Sequence, residues 1–362
     1  MMITLGLLNF AMSAAPVPHL GPVGRTSPFI PVSGSMPMAI NHDADNAVLV
    51  LMTHDGHVLS GPHNMVKDVT VDILELMPEI RALDEAAYLQ LLHGTQPVNT
   101  AWVIEPALSR RVPIVEQVAL PESGTRTRVI GWQDEGAFDN DDLPEGAGRI
   151  DGAALSAPVP RDEAVIRSGW WVYLERDVHM RTDHGELRID LREDAAPSTC
   201  RSFRALASMG FYNGTIMHRI IPKGRNGRPF VIQGGDPLGT GEGGPGWWTP
   251  LEPSFLGHDY GVLSMARADD PDSAGSQWFI ALDREETARL DGQYCAFGEV
   301  FAGADAIDSM AAVELADNDY FSSRPVQPPQ VNQARIAPAP SRTPGKGRRD
   351  PRVKPSVLRD PP

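Results

Sequence analysis

A chain of 362 residues with 41% hydrophobic and 22% charged residues can bury a sizeable core and has room for more than one domain. Its formal net charge of −15 argues against a general nucleic-acid binder, which leans on a basic face. The two cysteines, Cys200 and Cys295, are too few for a disulfide framework or a cysteine-ligated zinc site and suit buried structural positions.

The first 45 residues read as a signal-like or irregular segment. Met2 to Met12 is apolar, yet no basic residue precedes it, so both a cytoplasmic and an exported protein are compatible with it. No run reaches the about 18–20 apolar residues of a membrane-spanning helix. Residues 46–130 read as a small α+β accessory region of unknown function. Ala47-Val48-Leu49-Val50-Leu51-Met52 is strand-like and ends at the turn pair Asp55-Gly56. Between Val69 and Leu92 the apolar spacing predicts one or two helices broken near Pro78, and strands are expected at Trp102–Ile104 and Arg128–Ile130. Residues 131–169 read as an acidic linker. Its Asp139-Asn140-Asp141-Asp142 cluster lacks the glycine and distal glutamate of a calcium loop.

From 170 to 336 regular signals are dense. Leu187, Ile189 and Leu191 alternate with polar residues as in a half-buried strand. Pro197 suits the first turn of a helix carrying Cys200, Phe203, Leu206 and Ala207 on one face. Further strands are expected at 217–221, 230–233, 261–265, 277–282, 296–300 and 331–336, with a second helix over 304–312. Many short strands with two helices predict a mainly β fold, an antiparallel β-barrel capped at its ends. Residues 337–362 hold seven Lys or Arg and seven Pro and read as a disordered basic tail, a possible site for an acidic partner.

Within 211–300 lie Phe211-Tyr212-Asn213-Gly214, Met217-His218-Arg219-Ile220-Ile221, Phe230-Val231-Ile232-Gln233-Gly234-Gly235-Asp236-Pro237, Gly239-Thr240-Gly241-Glu242-Gly243-Gly244-Pro245-Gly246, Leu263-Ser264-Met265-Ala266, Gly275-Ser276-Gln277-Trp278-Phe279-Ile280 and Leu290-Asp291-Gly292. In their order and spacing these stretches closely resemble the cyclophilin-type peptidyl-prolyl cis–trans isomerases. The resemblance extends more thinly over about 175–336. It implies a cyclophilin-like barrel that accelerates X–Pro rotation in polypeptides and assists folding, without cofactor or metal.

The chemistry suits those residue types. Rotation about a peptide bond is opposed by a resonance barrier of about 18–20 kcal/mol, and a catalyst must favour the twisted amide, whose prolyl nitrogen regains a lone pair. A guanidinium is a permanently charged, rigid donor for that nitrogen. The resemblance implies that Arg219, Gln233 and Phe230 are catalytic. It also implies that Met265, Ala266, Arg267, Gln277, Phe279, Leu290 and Tyr294 meet the substrate. Arg267 replaces a more usual asparagine, Tyr294 a frequent histidine, and Arg289 a tryptophan of cyclosporin-sensitive members. The loop 222–229, with Lys223, Arg225 and Arg228, is long and basic. The expected partners are proline-containing polypeptides, with no nucleic acid and no transmembrane segment. The alternative is a proline-peptide binding module or scaffold with little turnover.

Three other patterns are weaker. Gly241 to Gly246 matches a dinucleotide fingerprint but runs into Trp247-Trp248 and opens no helix. His54, His57 and His63 lack companion metal ligands. His218 sits beside Arg219, but isomerisation transfers no proton, so the ring is read as structural.

Overall fold

The structure, a computed structural model, describes residues 19–22, 28–41, 46–109, 112–120, 124–133, 166–252, 254–316 and 323–346. The acidic cluster at 139–142 and the signal-like stretch Met2 to Met12 lie outside them. Turns come too often in the first half for long helices. Gly56 and Gly94, both at positive φ, sit at the tips of two hairpins.

The strands of this half are β1 (His19–Pro22), β2 (Phe29–Pro31), β3 (Pro37–Asn41), β4 (Ala47–Met52), β5 (Val58–Asn64) and β6 (Val69–Asp72). After the single turn α1 (Ile73–Leu76) come β7 (Ala87–His93), β8 (Gln96–Ser109), β9 (Val112–Leu120), β10 (Gly124–Gln133) and β11 (Ile166–Leu174). The chain divides into two compact units. One is drawn from Met1–Pro28, Ser35–Glu105 and Val172–Pro362, the other from Phe29–Gly34 and Pro106–Trp171. In the second, β9 pairs antiparallel with β10, and β2 pairs with Gly169–Trp171 of β11. In the first, β1, β3 and β6 form one antiparallel sheet, and β7 pairs with β4 and β8 in another.

Three expectations are corrected here. The helix pair over 69–92 reduces to α1 and a 3₁₀ turn at Pro78–Ala82, followed by strand β7. Pro78 does break the helix, but Ala87–Leu92 is buried on both faces, as a continuous apolar strand is, so its spacing mimics a helix. The accessory region is therefore strand-dominated. The segment expected to be irregular before 45 contributes β1, β2 and β3 to sheets.

The remaining strands are β12 (Arg176–Thr182), β13 (Gly185–Leu191), β14 (Arg219–Ile220), β15 (Val231–Gly234), β16 (Val262–Met265), β17 (Trp278–Ala281), β18 (Ala296–Ala302) and β19 (Val331–Pro338). They make one antiparallel sheet in the order β14-β15-β17-β16-β18-β13-β12-β19. Its two edges meet where Ile216 bridges Gln330 and the Met217 N–H donates to Pro329 O, which curls the sheet into a barrel. Helix α2 (Pro197–Ser208) starts on Pro197 and buries Cys200, Phe203, Leu206 and Ala207. A one-turn helix α3 (Arg284–Thr287) is capped by the Asp283 carboxylate, and α4 (Ala304–Ala311) buries Ile307 and Met310. Phe203, Tyr212, Trp278 and Phe297 fill the barrel with tilted and edge-on ring contacts. Both cysteines are free and buried there, and burial pushes the Cys295 thiol up to about 12. No helix of the described residues is long and apolar enough to cross a membrane.

Within the first unit, β4, β7 and their turns meet the barrel through charged groups. His54 Nε2 lies 2.9 Å from Asp190 Oδ2, the Tyr88 hydroxyl donates to Glu193 over 3.5 Å, and Arg201 donates to Glu105. Burial pushes the Glu193 carboxyl up to about 7 against the pull of Arg204, whose Nη1 is 2.7 Å away. Glu175, Asp177 and Asp190 place carboxylate oxygens within 4.8 Å of one another, all buried. The cation beside them is Arg342. Its Nε and Nη2 donate to Glu175 at 3.1 and 2.6 Å, its Nη1 donates to His54 O at 2.6 Å, and its Cζ lies 3.6 Å from the Tyr88 ring centre. The basic tail thus begins later than expected. β19 runs to Pro338, Ala339 O accepts from Thr100, and the Gly345 N–H donates to Gly56 O. A single buried guanidinium with three engaged donors overrides the solvated reading that its basic, proline-rich neighbours suggest.

Candidate active site

Antiparallel pairing sets the site. Arg219 on β14 faces Gln233 on β15, Gln233 faces Phe279 on β17, and Phe279 faces Ser264 on β16. Residues directly opposite one another share a sheet face, so three short strands deliver a cation, an amide and an aromatic ring side by side.

A polar chain runs along this row. Arg219 Nη1 donates to Gln233 Oε1 at 3.2 Å, and Gln233 Nε2 donates to Gln277 Oε1 at 3.1 Å. Gln277 Nε2 then donates to the carbonyls of Gly241 and Gly243 at 2.7 and 2.9 Å. The glycine-rich loop is thereby tied to the arginine through two amides. Asp236 shapes that loop by accepting the N–H groups of Leu238, Thr240 and Gly241. Burial works to raise the Asp236 carboxyl, but these amides hold it below the usual range. A Cβ on Gly243 would lie 2.0 Å from Asp236 Oδ1, so only glycine lets the loop close over the carboxylate. The literal match to a dinucleotide fingerprint is thus a turn around an aspartate, and it begins no helix.

Beside the polar chain, Phe230, Phe279 and Leu290 form a small apolar cluster with Ile221 and Val231, flanked by Ala266 and Tyr294. Tyr294 stands edge-on to Phe279, with ring centres 5.9 Å apart. The Ala266 N–H donates to Gln277 O at 2.9 Å. Arg267 lies with Cζ 4.6 Å from the Tyr294 ring centre, and Arg289 with Cζ 4.3 Å from that of Phe230. The structure therefore gathers Arg219, Gln233, Phe230, Ala266, Arg267, Gln277, Phe279, Leu290 and Tyr294. Met265 is not with them. It pairs with Trp278 and packs in the barrel core, because alternation along β16 turns it away from the face that Ser264 shares with Phe279. Val231, which the sequence reading passed over, packs with the cluster instead.

Two further features had no sequence signal. His258 is fully buried behind Phe279, with near-parallel rings 5.8 Å apart. Its Nδ1 is 2.9 Å from Asp291 Oδ1 and its Nε2 2.9 Å from Ser264 Oγ. Burial lowers the pKa of His258, while His258 and Arg284 hold the Asp291 carboxyl well below the usual range against its own burial. Glu286, buried at the other edge, accepts the N–H groups of Arg225 and Asn226 at 2.9 and 3.1 Å and so pins the loop 222–229. His218 is buried, and burial lowers its pKa, in keeping with a neutral structural ring. The three first-half histidines form no metal cluster among the described residues, since His54 engages Asp190 and His63 engages Ser60.

Comparison with known proteins places this barrel. The family described as cyclophilin type peptidyl-prolyl cis-trans isomerase/CLD matches residues 177–336. A peptidyl-prolyl cis-trans isomerase-like 1 of Gibberella zeae is 36% identical over 165 residues, covering 44% of this chain and 94% of the relative. Its namesake in Homo sapiens is 37% identical over 163 residues, covering 44% and 90%. A crystal structure of a Cryptosporidium parvum cyclophilin type peptidyl-prolyl cis-trans isomerase with the dipeptide Ala-Pro is 32% identical, with TM-score 0.40, over 44% of this chain and 98% of that one. Because relatives more than 30% identical are matched over nearly their whole length, with Arg219 and its neighbours inside the matched span, the chain belongs to the cyclophilin-type peptidyl-prolyl cis–trans isomerase family.

Proposed function

We propose that the isomerase activity of this family is carried here by Arg219, with Gln233 fixing its guanidinium and Phe230, Phe279 and Leu290 receiving the proline ring of a polypeptide substrate. The observation that carries this reading is the 3.2 Å bond from Arg219 to Gln233 beside the apolar cluster of Phe230, Phe279 and Leu290. As the X–Pro bond twists, conjugation is lost and the prolyl nitrogen becomes a hydrogen-bond acceptor. A donor already held in place stabilises that state more than either planar isomer, which is what lowers a barrier. Gln277 and the Ala266 backbone flank the cluster with the polar groups that would hold the adjoining peptide units. No proton is transferred, so the neutral His258 and His218 need take no chemical part.

A binding module with little turnover is less favoured, because docking a proline needs the apolar cluster and not a positioned cation. Isomerisation of a short X–Pro peptide, followed by exchange spectroscopy with and without the full chain, separates the two. Acceleration is expected, and binding without acceleration would overturn the catalytic reading.

Arg289 also bears on inhibition. A guanidinium offers less flat apolar area than an indole and no indole N–H donor, so cyclosporin should bind weakly. Arg289→Trp should tighten binding by roughly tenfold or more, the worth of an aromatic contact plus a hydrogen bond. Calorimetry showing tight binding to the unmodified chain would contradict this.

A further inference from the structure

We infer that the proline pocket is bordered by a cationic rim, formed by Arg289, Lys223 and Arg225, that selects X–Pro segments carrying a carboxylate within two residues of the proline. The inference deepens the reading of Arg219 and its apolar cluster as the catalytic pocket and rests on it.

The first observation is the position of Arg289. Its guanidinium lies over Phe230, a member of the pocket cluster, with Cζ 4.3 Å from the ring centre, and its side chain is 37% exposed. It is a cation held at the edge of the pocket by the pocket's own ring. The second observation is independent and concerns the loop 222–229. Its backbone closes on itself through Gly224 N–H to Arg228 O at 2.6 Å, and both carboxylate oxygens of buried Glu286 take its amides. A Cβ on Gly224 would lie 2.4 Å from the Glu286 side chain, so the loop sits tightly on that carboxylate. Lys223 and Arg225 are therefore carried exposed on a fixed backbone that leads directly into Phe230.

The carboxylates on this side of the groove are each engaged by a cation or by backbone amides. Asp283 and Glu285 are bridged by Arg228 at 3.1 and 2.6 Å. Glu286 is buried beneath the two amides with Arg289 3.7 Å away, and Asp291 is held by Arg284 and His258. The pocket residues themselves include Arg219 and no acid, and on the far side Arg267 lies over Tyr294. A peptide threading this groove meets cations at the ring edge and along the loop, although the chain as a whole carries −15. Charge patterning of this kind acts through partner choice and encounter rate.

The test compares two sets of short proline peptides on the full chain by exchange spectroscopy, which needs no cleaving enzyme. In one set the residue before proline is Glu, Ala or Lys; in the other the residue after it is varied in the same way. In at least one set kcat/KM should rank Glu above Ala above Lys, with an end-to-end ratio on the order of tenfold at low salt. The ratio should collapse in 1 M NaCl, where the screening length is about 3 Å. Arg289→Glu should narrow the ratio severalfold, since it removes one of the three cations and adds a carboxylate. Because each ratio is taken within one protein, a partly unfolded variant lowers all rates and leaves the ratio readable. Equal rates for Glu and Lys peptides in an active enzyme, or a preference untouched by Arg289→Glu, would overturn the rim alone. Acceleration of none of the peptides would overturn the pocket reading beneath it and the rim with it.

Discussion

Replacing Arg219 by alanine is expected to lower kcat/KM on a short proline peptide by about a hundredfold or more, the usual cost of deleting one fixed donor to the transition state. The argument rests on what the arginine touches. Its Nη1 bonds Gln233 across the β14–β15 pair, and the side chain is only half-buried at the groove. Arg219 is not part of the barrel's apolar core, so loss of the guanidinium opens no cavity there. Thermal midpoint and near-ultraviolet circular dichroism should stay close to those of the parent. Arg219→Lys should recover little, since a point charge on a flexible stem does not reproduce the planar fork that Gln233 holds. Gln233→Ala should give a smaller loss, because the cation remains and only its direction is loosened. Full turnover by folded Arg219→Ala protein would exclude Arg219 from the reaction.

A second large effect is expected far from the groove. Arg342→Ala should destabilise the fold by about 3–5 kcal/mol, because it leaves the buried Glu175 carboxylate without its cation. At about 2–4 °C per kcal/mol this lowers the melting midpoint by roughly 10 °C. The loss has several sources. The guanidinium gives up two donors to Glu175, one to His54 O and its place against the Tyr88 ring. Arg342→Met combined with Glu175→Met should cost less than the two single changes added, since it removes both charges together. Truncation after Ile336 should reproduce the destabilisation. Equal midpoints for the parent and Arg342→Ala proteins, measured by calorimetry, would show that the strap adds no stability.

Why the pocket could be read in the residues while this strap could not is a matter of range. Phe230-Val231-Ile232-Gln233 and Gln277-Trp278-Phe279 are each carried in one short contiguous stretch whose order resembles the family's motifs, and the pairing of β15 with β17 then sets Gln233 opposite Phe279. Along Leu263-Ser264-Met265 the alternation of strand faces turns Met265 inward and leaves Ser264 on the groove face. Arg342 offers no such pattern. Its partner Glu175 is 167 residues away, and its own surroundings of Pro, Ser and Gly read as solvated chain. The strand β7 failed for the opposite reason. Ala87–Leu92 is apolar at every position but Gln90, so helical and extended periods fit equally well and only burial on both faces decides. His258 was invisible because a histidine earns its role from Phe279, Ser264 and Asp291, which come together only on folding.

The seam between β4, β7 and the barrel has a consequence for modularity. On the barrel side it includes Asp190, Glu193 and Asp194 with Arg192 and Arg204, all ionisable groups. Such a face can be uncovered without exposing oily surface, because water solvates freed carboxylates and guanidinium groups well. Parts joined by an apolar seam lack that freedom, since each half would clump before its partner arrived. Both sides of the seam lie inside one compact unit, and its buried charge pairs fasten them residue by residue.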